Sequence, residues 1–328
     1  MTVEFAGGDP RVRAVLEAGG PEVAGVMAAA EQRMAELAGR HGPVLARHAG
    51  GTLAAGGKRL RPLLVCLAAG MPAGSREAVL RAAVAVELVH AATLVHDDVL
   101  DRSDRRRGRE TVVAAAGRQV ATATGDLLFS RAFAELAAGG SAEGIRILSR
   151  ACSELAAGEL MQRADAYDAG VTVERYLERC RLKTAVLFRA SCELGALAGS
   201  GAAAALGEFG ERIGVAFQIL DDVLDISGPP ERTGKPQGTD LLDGTITLPV
   251  ILASARDPGL AVLVPEGVRT PVQAAAVCEQ IIATGALQEC RARALRLVAE
   301  AKTLLESVED RRRASLELVA DGVVERYS

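Results

Sequence analysis

From residue 21 to residue 325, apolar residues return at intervals of three and four, and no strand-length run alternates apolar with polar. A 3.6-residue period commits a chain to helices that each bury one stripe, so the expected architecture is all-α. Composition agrees: 49% of residues are hydrophobic but only 3% are aromatic, Trp is absent and alanine dominates, which suits helices in close contact. The spacing predicts helices over 21–40, 43–54, 60–70, 75–101, 110–138, 142–167, 172–198, 202–227, 245–256 and 270–325, the last broken near Thr284-Gly285. Gly and Pro punctuate them at Gly56-Gly57, Pro72, Gly139-Gly140, Gly170 and Gly199–Gly201. With neither a linker nor a short repeat in 328 residues, the chain reads as one large helical domain, 1–328, with residues 1–20 poorly ordered. The longest stretch without helical pattern, SGPPERTGKPQGTD at Ser227–Asp240, is long enough to suggest a functional loop.

A net charge of -4 and a pI near 5.8 exclude a general nucleic-acid surface, because binding many phosphates needs a concentrated basic field. The N-terminal MTVEFAGGDP lacks the basic and apolar regions of a signal peptide. The oiliest segment, Ala82 to Val95, is interrupted by Glu87 and His90 and falls short of the roughly 20 residues that span a bilayer. The expectation is a cytoplasmic protein without a transmembrane segment. Six cysteines, at 66, 152, 180, 192, 278 and 290, form no C-x-x-C pair and are expected as free buried thiols.

Chemistry is concentrated at two helix ends. DDVLD occurs at Asp97, Asp98 and Asp101, and again with identical letters at Asp221, Asp222 and Asp225. In the first copy Asp97 and Asp101 share a helix face with His90; in the second, Gln218 shares the face of the aspartates. Each cluster ends a long apolar helix, where the helix dipole disfavours negative charge, and nothing nearby in the sequence offsets it, so a cation is the expected partner. Hard oxygen donors without Cys or His at ligand spacing suit Mg²⁺, which is commonly held by one or two carboxylates plus substrate phosphates.

Cationic partners for such phosphates are also present. GGKRLRP, Gly56–Pro62, places Lys58, Arg59 and Arg61 at a helix start, where free N–H groups favour an anion. Of 38 basic residues only four are lysine, at 58, 183, 235 and 302, and three of these lie in GGKRLRP, RLKTAVLF and GKPQGTD. Where arginine has nearly replaced lysine, retention hints at a need for a compact ammonium.

Taken in order, GGKRLRP, ELVHAATLVHDDVLDRSDRRRG, LKTAVLF, FQILDDVLD and GKPQGTDLLDGTITLP closely resemble the trans-isoprenyl diphosphate synthases, from about Gly56 to Pro249. The resemblance implies an all-α bundle around a central cavity, usually a homodimer, that joins isopentenyl diphosphate head-to-tail to an allylic diphosphate with three Mg²⁺ per active site. Carried over position by position, Lys58, Arg61, His90 and Arg107 hold isopentenyl diphosphate, while Arg106, Lys183, Thr184, Gln218 and Lys235 hold the allylic diphosphate. Asp97, Asp101 and Asp221 ligate the metal; Asp98, Asp222 and Asp225 support through water or as outer neighbours. Lys183, Thr184 and Gln218 also face the developing allylic cation. His96 is assigned packing or capping. Thr245 departs from the family, since many relatives have Lys there, and this puts affinity for short allylic substrates in question.

In short-chain members of that family the positions of Ala92 and Thr93 are often aromatic; here they are small, with Leu88 and Val89 a turn further down and Glu159 to Gln162 opposite, so the resemblance implies a product of four or more isoprene units. Three alternatives stand beside this reading: a short-chain farnesyl synthase, a class I terpene cyclase, and a regulatory subunit of a heteromeric synthase. The chain contains no asparagine, which many second cyclase metal motifs use, and it keeps both acidic clusters, which regulatory subunits usually lose.

Overall fold

The computed structural model describes residues 10–40, 42–106, 108–199, 201–228 and 237–325. Its helices are α1 (Pro10–Gly19), α2 (Pro21–Ala38), α3 (Pro43–Ala54), α4 (Leu60–Ala69), α5 (Arg76–Leu100), α6 (Val112–Ala138), α7 (Ala142–Ala164), α8 (Val173–Cys180), a π-helical turn (Arg181–Ala185), α9 (Val186–Ala198) and α10 (Ala203–Ser227). After these come α11 (Thr239–Leu242), α12 (Leu248–Arg256), α13 (Pro258–Glu266), α14 (Pro271–Ala283), α15 (Ala286–Thr303) and α16 (Asp310–Glu325). Strand among the described residues is confined to a small antiparallel pair, β1 (Arg105–Arg106) and β2 (Arg109–Glu110).

The periodicity located most helices to within a few residues, and four expectations are corrected. Residues 10–19 form α1 rather than a poorly ordered end. The segment 172–198 is interrupted by the π turn. The segment 270–325 breaks twice, at Thr284-Gly285 and again between Thr303 and Asp310. Helix α13 falls between the predicted segments 245–256 and 270–325, and its Pro258 occupies a helix start, where its missing N–H is harmless.

The chain forms two compact units. The first takes in Met1–Cys152, Leu187–Gly210 and Leu304–Val319, and it is organised on α5, which packs against α2, α4 and α6. From Ala82 to Ala92 every residue of α5 except His90 is buried. Such a helix, apolar on all sides, belongs in a core, where each buried Val or Leu contributes about 1.5–3 kcal/mol. Helix α5 is also long and apolar enough to cross a membrane, which corrects the estimate from Ala82–Val95 alone; 67% of its most apolar window is buried inside the protein. Helix α6 opens on Thr111, whose hydroxyl accepts the Ala114 N–H, and bends at Gly117, whose φ of 82° a side chain would resist.

The second unit takes in Ser153–Val186, Glu211–Thr303 and Ala320–Ser328. Within it α12 packs against α8, α13, α14 and α15, and its core includes Tyr176, Ile219, Val223, Leu248, Ile281 and Cys290. All six cysteines are free thiols, five buried and Cys152 half-buried.

Candidate active site

In the first unit the GGKRLRP turn divides its cations between two environments. Arg59 is 8% exposed and adopts a left-handed conformation (φ 48°, ψ 40°) as the residue that starts α4. Its guanidinium donates to Glu87 at 2.7 Å, to Glu31 at 2.5 and 3.2 Å and to the Leu53 carbonyl at 2.5 Å. Lys58 and Arg61, on either side, are half-buried, and the Arg61 guanidinium lies 4.7 Å over the Phe188 ring. His90, on α5 three residues after Glu87, is half-buried as well.

At the end of α5, Asp97 is half-buried and Asp101 exposed, and the Asp101 N–H bonds the Asp97 carbonyl at 2.8 Å, closing the last turn. Asp98 is buried and accepts from Arg106 Nε at 2.7 Å. The connection to α6 holds Arg106 in place: Thr111 bonds back to the carbonyls of Asp104 (3.0 Å) and Ser103 (2.6 Å), and Arg105 donates to the Gly108 carbonyl at 2.9 Å. His96 packs over Gly125 and against Phe129, with Nε2 3.3 Å from the Thr122 carbonyl, which bears out a packing role.

In the second unit a chain of hydrogen bonds runs through the predicted residues. Thr184 Oγ1 donates to Gln218 Oε1 at 2.7 Å, Gln218 Nε2 donates to Asp222 Oδ1 at 2.7 Å, and Tyr176 donates its hydroxyl to Asp222 Oδ2 at 2.6 Å. Asp222 is 3% exposed; burial pushes its carboxyl up to about 7, against the pull of the Tyr176 and Gln218 hydrogen bonds. Asp225 accepts the backbone N–H groups of Thr239 and Asp240, each at 3.2 Å. The expectation that nothing local offsets the acidic clusters is thus corrected: Asp98, Asp222 and Asp225 each have donors, supplied by residues 4 to 46 positions away.

Lys183 and Thr184 lie in the π turn, a distortion frequent at functional sites because it displaces a carbonyl from the regular ladder. Gly158 on α7 makes room for it; a methyl carbon there would sit 2.6 Å from the Lys183 amide nitrogen. Lys183 Nζ is 2.5 Å from Glu159. Burial alone would raise the Glu159 carboxyl, but Lys183 and Arg163 outweigh it and hold the group below its ordinary range. Glu159 is thus the partner of Lys183, and its neighbour Leu160 is 71% exposed.

Among the described residues no three His, Cys, Asp or Glu side chains form a ready metal cage. Carboxylate pairs at the ends of long helices do fit an ion that completes its shell with water and diphosphate oxygens. Asp222, with both oxygens accepting hydrogen bonds, fits an outer supporting position and not a direct ligand.

A family model described as polyprenyl synthetase matches residues 43–283. The chain belongs to the polyprenyl synthetase family. It is 41% identical over 261 residues to a heptaprenyl diphosphate synthase component 2 from Geobacillus stearothermophilus, covering 78% of this chain and 81% of that one. It is 38% identical over 282 residues to a geranylgeranyl diphosphate synthase from Methanosarcina mazei, covering 83% and 86%. A crystal structure of a polyprenyl synthase from Caulobacter crescentus, complexed with calcium and isoprenyl diphosphate, superposes with a TM-score of 0.85 at 34% identity over 97% of this chain and 98% of that one. As a polyprenyl synthetase, the chain is an all-α trans-prenyltransferase of isoprenoid biosynthesis.

Of the residues predicted for this polyprenyl synthetase, Lys58, Arg61, His90, Asp97, Asp98, Asp101 and Arg106 lie in the first unit and Lys183, Thr184, Gln218, Asp221, Asp222 and Asp225 in the second. Arg107 and Lys235 lie outside the described residues. Sequence reasoning gave no role to Glu31, Glu87 and Tyr176, which hydrogen-bond Arg59 and Asp222, and it set Glu159 opposite Ala92 and Thr93 without its pairing to Lys183. A charged Glu87 within an oily helix and Tyr176 as one of only three tyrosines were the available signals. Of the residues expected to govern product length, Ala92, Leu88 and Val89 are 0% exposed, whereas Thr93 is half-buried in the stripe it shares with His90 and Asp97.

Proposed function

We propose that this polyprenyl synthetase condenses isopentenyl diphosphate head-to-tail with an allylic diphosphate, depends on Mg²⁺, and makes a trans-polyprenyl diphosphate of four or more isoprene units. The observation that carries this reading is the double equipment of α5: His90, with Lys58 and Arg61 beside it in sequence role, serves one diphosphate, and Asp97 and Asp101, about 10 Å further along the helix, serve a second. A cyclase, acting on one diphosphate, needs only the latter set. The names of the Geobacillus and Methanosarcina relatives support a product longer than farnesyl.

In this reading Lys58, Arg61, His90 and Arg107 bind isopentenyl diphosphate, and Arg106, Lys183, Thr184, Gln218 and Lys235 bind the allylic partner. Asp97, Asp101 and Asp221 hold three Mg²⁺, which when bound supply positive charge at the departing diphosphate oxygens. Asp98 aims Arg106 at that same charge. The allylic C–O bond ionises, the double bond of isopentenyl diphosphate attacks the cation, and the departing diphosphate removes the proton. Carbonyls of the π turn and the amide oxygen of Gln218, oriented through Asp222 and Thr184, face the cation with partial negative charge. The enzyme acts in the cytoplasm as a homodimer. The name of the Geobacillus relative, component 2, favours a second reading in which this chain works with a different subunit.

One set of incubations tests these points. The purified chain is given labelled isopentenyl diphosphate with each of dimethylallyl, geranyl, farnesyl and geranylgeranyl diphosphate, with Mg²⁺ or with EDTA, and the products are sized. Incorporation by the chain alone, abolished by EDTA and ending at or beyond four units, is expected; incorporation only with an added partner would favour the heteromer. Asp101→Ala should lower turnover by about two orders of magnitude or more with an unchanged circular dichroism spectrum.

A further inference from the structure

GGKRLRP contains three cations, and the most deeply buried of them has no role in the reading above. Arg59 stands between Lys58 and Arg61, yet its guanidinium is directed inward to two carboxylates and a carbonyl. Glu87 is 4% exposed, so this is a buried ion pair, strongly destabilising to break from one side only. The backbone at Arg59 is also in the left-handed region, unusual for a residue with a side chain and sustained only where surrounding contacts over-determine it. Those contacts come from three elements: Glu31 on α2, Leu53 on α3 and Glu87 on α5.

Glu87 is the informative partner. It lies three residues before His90 on the same helix, so the Arg59–Glu87 bond ties the turn bearing Lys58 and Arg61 to the helix turn bearing His90. We infer that Arg59 is a positioning residue: through Glu87 it fixes the spacing between Lys58, Arg61 and His90, and so sets the affinity for isopentenyl diphosphate without touching that substrate. The inference rests on the assignment of those three residues to isopentenyl diphosphate. A guanidinium suits the task because one planar group satisfies several acceptors in different directions, which an ammonium on a flexible stem does not.

The experiment is a KM comparison for the two substrates in the full-length enzyme. Arg59→Lys keeps the charge but not the fork, and it is expected to raise KM for isopentenyl diphosphate about tenfold, with KM for the allylic diphosphate within about twofold of the parent. Glu87→Gln should act in the same direction, and the double variant should be no worse than the stronger single one, because both break one connection. Glu31→Gln, which removes only the outer, half-exposed arm, should give a smaller shift of the same kind and serves if the buried variants do not fold. Additive effects of Arg59→Lys and Glu87→Gln would make Arg59 a direct ligand and overturn the inference. So would an unchanged KM in Arg59→Lys, or in Glu31→Gln if the buried variants do not fold, while Lys58→Ala and Arg61→Ala raise it. Unchanged KM for isopentenyl diphosphate in Lys58→Ala and Arg61→Ala would overturn the substrate assignment itself.

Discussion

Tyr176 and Gln218 each give a hydrogen to one oxygen of Asp222, so the carboxylate is satisfied on both sides although it is buried. Tyr176→Phe leaves one oxygen without that donor. It should lower stability by about 1–3 kcal/mol in denaturant titration and reduce turnover through a less constrained Gln218. At Thr245 the expectation runs the other way: Thr245→Lys introduces the cation that the family resemblance implies at this position and should lower KM for short allylic diphosphates, read by steady-state kinetics. Residues of this sort show how far the sequence carried. Asp222 and Gln218 share a helix face four residues apart and were legible together, whereas Tyr176 is 46 positions from Asp222 and only the folded chain joins them. Arg59 was visible as a cation, but its burial depends on Glu31 and Glu87, each 28 positions away in opposite directions.

The π turn is the element that most shapes the surroundings of Lys183 and Thr184 within the second unit. Periodicity read across 172–198 averages over a dozen residues or more, and RLKTA contains neither Gly nor Pro, so a single displaced turn left no mark in the pattern. Its counterpart on α7, Gly158, is likewise unremarkable in sequence. Gly158→Ala should force the π turn and α7 apart, costing about 1–3 kcal/mol in thermal or denaturant unfolding and lowering kcat more than it changes either KM. The short α11 depends similarly on Asp225, whose carboxylate accepts its first N–H groups. Asp225→Ala should accelerate hydrogen exchange at Thr239 and Asp240 by roughly fivefold or more, as loss of a cap worth about 1 kcal/mol implies.

For the whole molecule, the all-α class and most of the helices were legible because a 3.6-residue stripe is a global constraint, repeated in nearly every segment. Product length is not of that kind, since it depends on which side chains remain accessible after packing. Ala92 looked suitable in sequence, but it is fully buried, and Ala92→Phe is expected to overpack α5 by about 1–3 kcal/mol. Thr93, on the accessible stripe with His90 and Asp97, is the better position: Thr93→Phe should shorten the product while retaining the fold, measured by chromatographic sizing and a thermal melt. The two DDVLD copies, finally, differ in how they tolerate change. The second letter of the first copy is answered by Arg106, eight residues away in the connection that follows α5, so a loss there is open to repair by a neighbouring substitution. The second letter of the other copy is answered partly by Tyr176 on a different helix, so repair requires two coordinated changes far apart in the gene. Identical words therefore carry unequal mutational robustness, and a saturation library should retain more active variants at Asp98 than at Asp222.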